Sequence, residues 1–176
     1  MIRTDHHSEV NRLKKHQRID TGLSREQSEG VVAILNRLLA DETVLYAKAR
    51  DFHWNVAGPH FHDLHVFFQS QYEELAVIGD DVAERARAMG GRAMGTLQEA
   101  LEHTQLKEEN DHELTADAMI AGLLEDHEAI IQRLRTDLET CAEKFHDMGT
   151  NNFLTDLMEQ HEKMAWMLRA CLEDRS

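Results

Sequence analysis

A three-and-four spacing of apolar residues runs through most of this chain, and only a few positions interrupt it. Val31, Ile34, Leu35, Leu38, Leu39, Thr43, Leu45 and Tyr46 follow that spacing, the pattern of one buried helix face. Ser24, with Gln27 three residues on, is a capping box at its start. Gly58-Pro59 stops this first helix near Val56. A second stripe, Phe61, Leu64, Phe68, Tyr72, Leu75, Ile78, Val82 and Met89, predicts a helix from His60 to Met89, closed by Gly90-Gly91. Pro59 is the only proline, which argues against a loop-rich or all-β fold.

The second half repeats the pattern. Met119, Leu123, Ile130, Ile131, Leu134, Leu138 and Phe145 predict a helix from about Leu114 to Met148, closed by Gly149. Phe153, Leu154, Leu157, Met164, Met167 and Leu168 predict a last helix from Asn151 to Leu172. Between the halves, residues 92–111 form a long connection with a short helical piece at Thr96–His103. The expected fold is therefore all-α: a ferritin-like four-helix bundle with a short extra helix in the crossover between helices 2 and 3. Residues 1–22 lack apolar periodicity and read as a mobile tail, leaving 23–176 as the bundle domain. The methionines from Met89 to Met167 fall at helical spacing and are expected to serve packing.

Composition narrows the function classes. Lys and Arg total 19 against 33 Asp and Glu, a formal charge of −14, so the body does not attract nucleic acid or anionic lipid. No apolar run approaches the roughly 20 residues that cross a bilayer, and MIRTDHHSEV has no apolar signal region. Cys141 and Cys171 make no CxxC pair, so a disulfide scaffold is excluded and the cytoplasm is the expected compartment. The 12 histidines are the one excess, and histidine is the commonest metal ligand. A solubilising, pH-buffering surface is the competing reading.

The chemistry concentrates between His53 and Glu84. His53 closes the first helix; His65, Asp80 and Glu84 lie on the second, the two carboxylates one turn apart on one face. Imidazole with carboxylate suits iron, manganese or zinc. His65 and Asp80 are 15 residues apart, about 22 Å along a helix, whereas ligands of one ion lie within a few Å of each other. One straight helix cannot supply both. A second, antiparallel copy can, setting Asp80 and Glu84 of one protomer against His53 and His65 of the other, twice per dimer. The competing readings are carboxylates solvated or paired with Arg85 and Arg87, and hydrogen-bonded core histidines. An in-chain di-iron centre needs mid-helix ExxH pairs. The two candidates, Glu109-x-x-His112 and Glu143-x-x-His146, fall in a connection and at a helix end.

On these residues the chain resembles the Dps family, ferritin-like DNA-protection proteins of starved cells. The match is carried by DFHWNVAGPHFHDLH, DDVAERARAMGG and the closing EKMAWMLRA, and it covers roughly residues 24–172. The resemblance implies a ferroxidase and iron-storage mini-ferritin: a dodecamer with sites at its two-fold interfaces, Fe(II) oxidised by hydrogen peroxide or less readily by dioxygen, and ferric mineral kept in the cavity. It assigns His53 and His65 of one subunit, with Asp80 and Glu84 of its partner, as metal ligands and catalytic groups, and Trp54 as the aromatic beside them, with core packing as its other reading. Two departures stand out. Gln69 replaces the carboxylate expected four residues after His65, which weakens or alters a second metal position. His161 stands where an apolar residue is usual; it is either a replacement nitrogen ligand, in a site that also takes zinc, or a solvated or cavity-facing side chain. For iron entry, the position at which the family has an aspartate is the neutral Asn152, and Asp156, Glu143 or Asp147 are the candidates to supply the negative field instead.

DNA binding does not follow from the resemblance alone. The tail sets Arg3, Arg12, Lys14, Lys15 and Arg18 against Asp5, Glu9 and Asp20, a slight excess on an acidic shell. The expectation is weak or absent DNA binding at neutral pH, strengthening as His6, His7 and His16 protonate below about pH 6.5. A DNA-coating structural protein and a zinc-binding shell without turnover are the alternative functions.

Overall fold

The computed structural model describes residues 19–111 and 113–173. Five helices follow one another: α1 (Arg25–Asn55), α2 (Phe61–Ala88), α3 (Leu97–His103), α4 (Ala116–Glu143) and α5 (Met148–Leu172). The regular structure among the described residues is all helical, and the four long helices form the expected bundle. Ser24 makes the capping box, its backbone N–H donating to Gln27 Oε1 at 2.7 Å while its hydroxyl accepts from the Gln27 N–H. Gly58, at φ +114°, makes the turn between α1 and α2.

Three ion pairs set the direction of α4. Lys48 meets Asp126, Asp41 meets Arg133 and Arg37 meets Asp137. Partners fall along α1 as they rise along α4, so the two helices are antiparallel. Because α2 also runs against α1, α2 and α4 are parallel, and the chain between them must travel the length of the bundle. That is the reason for the long connection. It is held down along its course: Asn36 of α1 donates to Arg92 O at 3.0 Å and accepts from Met94 N at 2.9 Å. Thr96 and Glu99 form the capping box of α3. At the far end, buried Asp41 accepts from Thr104 Oγ1 at 2.7 Å and Gln105 N at 2.8 Å on one oxygen, and from Arg133 at 3.0 Å on the other. One carboxylate thus ties the crossover to α1 and α4.

The break between the last two long helices differs from the sequence expectation. The earlier helix ends at Glu143 rather than Met148, and the last begins at Met148 rather than Asn151. Asp147 is a stronger local signal than Gly149: its carboxylate accepts from the backbone N–H of Thr150 at 3.1 Å. His146, at φ +55°, supplies the left-handed residue that ends the preceding helix. Gly149 therefore lies in the first turn of α5. In the same turn Phe145 presses its ring against Gly30, where a Cβ would stand 2.2 Å from the ring, so that turn is locked to the start of α1.

Removing the Asp41 carboxylate strands Arg133 and two crossover donors. Asp41→Ala is expected to lower unfolding stability by about 3 kcal/mol, the usual range for breaking a buried pair. Urea denaturation followed by circular dichroism measures it.

Candidate metal centre

The α1–α2 turn folds the start of α2 back along the end of α1 and brings His53 and His65 face to face. Their rings stack at 3.8 Å between centroids with 21° between planes. Each Nδ1 lies on the other residue's carbonyl: His53 Nδ1 is 2.8 Å from His65 O, and His65 Nδ1 is 2.9 Å from His53 O. A carbonyl oxygen only accepts, so both Nδ1 atoms carry the proton, and both Nε2 lone pairs are left for a ligand. His53 O is also one of the last carbonyls of α1, without a helical partner; His65 satisfies it. Tyr72 meets the His53 ring edge-on, and Phe61 stacks beside His65, each at 5.2 Å. The pair is thus oriented from both sides.

α2 runs unbroken from Phe61 to Ala88, so the helical rise separates His65 from Asp80 by about 22 Å. The protomer brings the two histidines together and leaves Asp80 and Glu84 apart from them. Both carboxylates are exposed. The arginines that could have neutralised them turn elsewhere: Arg85 donates to Thr150 of α5 and to its capping residue Asp147, and Arg87 to Gly91 O. Val66 and Val77, also exposed, share an outward face of α2 with Asp80 and Glu84 by helical periodicity. Among the described residues no three His, Cys, Asp or Glu side chains surround one point.

The other candidate residues divide. Trp54 is 60 % exposed rather than packed in the core, and Arg50 lies over its ring at 4.7 Å. Gln69 turns its amide to Glu73, donating at 2.7 Å. Glu73, one turn further on, is an exposed carboxylate that the motif reading passed over. Asn152 and Asp156 are exposed one turn apart near the start of α5, and Glu143 is exposed at the end of α4. Asp147 is not a source of entry field, because it is buried, caps α5 and binds Arg85. Of the two ExxH pairs, His112 lies outside the described residues. Glu143 and His146 sit at the last residue of α4 and in the turn after it, so that pair makes no bundle-core centre.

His161 is neither a ligand beside His53 and His65 nor solvated nor cavity-facing. It is fully buried in the bundle interior. Its Nε2 lies 2.9 Å from Glu42 Oε1 of α1, and its Nδ1 lies 2.9 Å from Nδ1 of His127 on α4. Glu42 and His127 were not singled out from sequence, although both interrupt apolar stripes, Glu42 between Leu38 and Leu45, His127 between Leu123 and Ile130. His127 and His161 also stand in matching Glu-x-His-Glu patterns, 125–128 and 159–162. Burial, then the neighbouring His161, pushes the His127 pKa well below the usual imidazole value. Burial first, with Asp147 and Asp137 adding, pushes the Cys141 thiol up to about 12, so it is an inert packing group.

The family model for the ferritin-like domain matches residues 32–176. The chain is 42 % identical over 156 residues to an uncharacterized low temperature-induced protein of Nostoc sp., covering 89 % of this chain and 87 % of that one. It is 38 % identical to DNA protection during starvation protein 2 of Bacillus anthracis, covering 81 % and 96 %. Among solved structures it is similar to the Dps protein of Vibrio cholerae O1, described as a member of a broad superfamily of ferritin-like diiron-carboxylate proteins. The TM-score there is 0.81 at 33 % identity, covering 86 % of this chain and 94 % of that one.

His127 is neutral in the fold and chargeable once unfolded, so the unfolded chain binds more protons below about pH 6.5. Stability contributed by the neutral, buried ring is whole above that pH and lost as pH falls through it. Urea midpoints between pH 7.5 and 5.5 are expected to fall on acidification, and the slope is expected to be shallower in His127→Gln.

Proposed function

This chain belongs to the Dps family of ferritin-like proteins, and we propose that it is a ferroxidase whose Fe(II) pocket is shared between two protomers of an iron-storing shell. The observation that carries the reading is the histidine pair with both Nε2 atoms unengaged, combined with an unbroken α2 that holds Asp80 and Glu84 about 22 Å away. In this reading a second copy lies antiparallel along the outward face of α2. Val66 and Val77 are covered there, and Asp80 and Glu84 are delivered to the partner's His53 and His65.

The donor set suits the substrate. Neutral imidazoles hold Fe(II) while the carboxylates favour the more highly charged Fe(III) product. Two Fe(II) give one electron each to hydrogen peroxide, which takes up two protons, breaks its O–O bond and leaves as two waters. His53 and His65 stay oriented through that exchange because their Nδ1 atoms are held by backbone carbonyls. Trp54 stands exposed immediately after His53 and lines the rim of the shared pocket. The amide of Gln69, held by Glu73, contributes no charge, so the second metal position is the weaker one. That histidine-rich balance also admits zinc. Iron enters past Asn152 toward the negative field of Asp156 and Glu143.

The assembly expected of this reading is a dodecamer, acting in the cytoplasm and guarding against peroxide. No described helix is long and apolar enough to cross a membrane. The tail up to Arg18, including His6, His7 and His16, lies outside the described residues. Its charge balance supports weak or no DNA binding at neutral pH.

Stopped-flow absorbance after hydrogen peroxide is added to the Fe(II)-loaded protein tests the activity. Two Fe(II) should be consumed per peroxide, with ferric mineral accumulating beyond the number of sites. His65→Ala is expected to slow oxidation at least tenfold with the particle mass unchanged. Stoichiometric metal uptake with no oxidation would instead favour the zinc-binding shell. In a gel shift at neutral pH and moderate salt, the same particles are expected to leave DNA unretarded.

A further inference from the structure

The polar group at the bundle centre is larger than a single hydrogen bond explains. Glu42, Gln71, His127 and His161 come one from each long helix, and each is buried to 1 % exposure or less. Four of their atoms lack any partner: Glu42 Oε2, His127 Nε2, and both Gln71 Oε1 and Nε2. Orphaned groups at such depth are destabilising, and an uncompensated buried carboxylate more so. Register sets Gln71 level with His127 along the bundle. Tyr46 of α1 meets Tyr72 and Lys48 meets Asp126, so the next residues, Gln71 and His127, occupy one layer of the bundle.

The geometry between the two histidines is that of a ligand pair. Nδ1 faces Nδ1 at 2.9 Å, so one proton lies between two lone pairs. The same two atoms on a tetrahedral ion would stand about 3.3 Å apart, given metal–nitrogen bonds near 2.0–2.1 Å. A few tenths of an ångström and the loss of one proton separate the two states. Glu42 meanwhile accepts at His161 Nε2, the position of the outer carboxylate that orients a metal-bound imidazole and raises its basicity. We propose that His127 and His161 bind a first-row divalent cation through their facing Nδ1 atoms at the centre of each protomer, with Glu42 as the orienting carboxylate and the Gln71 amide oxygen as a further ligand. This site is separate from the one that two protomers share. It lies within a single chain, and it takes up the cation with release of the shared proton.

The probe is Co²⁺ under anaerobic conditions, added to the assembled His53→Ala/His65→Ala variant, in which the shared pocket is disabled. One Co²⁺ per chain with visible d–d absorption is expected. Adding His161→Gln or His127→Gln should abolish that absorption, and Glu42→Gln should weaken binding about tenfold. Anomalous diffraction from Co²⁺-soaked crystals of the His53→Ala/His65→Ala variant decides the matter even if the core variants do not fold. A peak bonded to both Nδ1 atoms supports the site. Water alone at the bundle centre, or Co²⁺ binding only elsewhere, overturns it. Failure here leaves the shared ferroxidase pocket untouched, since that pocket is read by peroxide-driven oxidation in the unmodified protein.

Discussion

An α-helix rises about 1.5 Å per residue and does not bend back on itself, and the functional reading depends on that rigidity. α2 carries both a histidine that is turned, oriented and unsatisfied and two carboxylates that are exposed and unpaired, at opposite parts of one straight rod. No side-chain rotation closes such a gap. Either these groups have nothing to do with one another or another copy of the chain brings them together. Val66 and Val77, exposed on the carboxylate face, are apolar surface that a second copy would cover, which favours the second alternative.

Within the protomer, burial is reconciled with charge in two contrasting ways on adjacent residues. Asp41 is saturated: a guanidinium, a hydroxyl and a backbone amide share its two oxygens, and the reward is a fixed crossover. Glu42, one residue on and facing inward, has one imidazole and an idle oxygen. The first arrangement is structural in the ordinary sense. The second is a polar centre in an otherwise apolar bundle, flanked by Leu38, Leu45, Leu123 and Leu157, where leucine would serve packing better. Four unpartnered buried atoms gather on Glu42, Gln71 and His127, whereas elsewhere among the described residues only Asp137 Oδ2 is left so.

Much of the fold was legible because helix periodicity and its stops are local properties. Ser24 with Gln27, and Thr96 near the start of the short helix, mark beginnings; Gly58-Pro59 and Gly90-Gly91 mark ends. The parallel run of α2 and α4 also left a trace, in the length of the segment between them. The turn at 144–147 was misread because Gly149 resembles a terminator, while the Asp147 cap and the left-handed His146 are recognised only once their backbone geometry is known. The site was legible to the extent that its residues are near in sequence or separated along one helix. His161 was noticed but misplaced, since a lone histidine on a helix does not announce which three other helices surround it. Glu42 and His127 were visible only as interruptions of apolar stripes. Their meaning depends on contacts 34 and 119 residues distant from His161.

Co-assembly of two crippled chains addresses the central claim most directly. One chain carries His53→Ala/His65→Ala and the other Asp80→Ala/Glu84→Ala; each alone is expected to assemble without a complete pocket. If the pocket is shared, a mixed dimer regains one intact pocket of its two. Random mixing should then restore about one quarter of the wild-type peroxide-driven Fe(II) oxidation. Oxidation by the mixed particles no faster than by either parent, with mixed dimers verified by mass, would contradict the account.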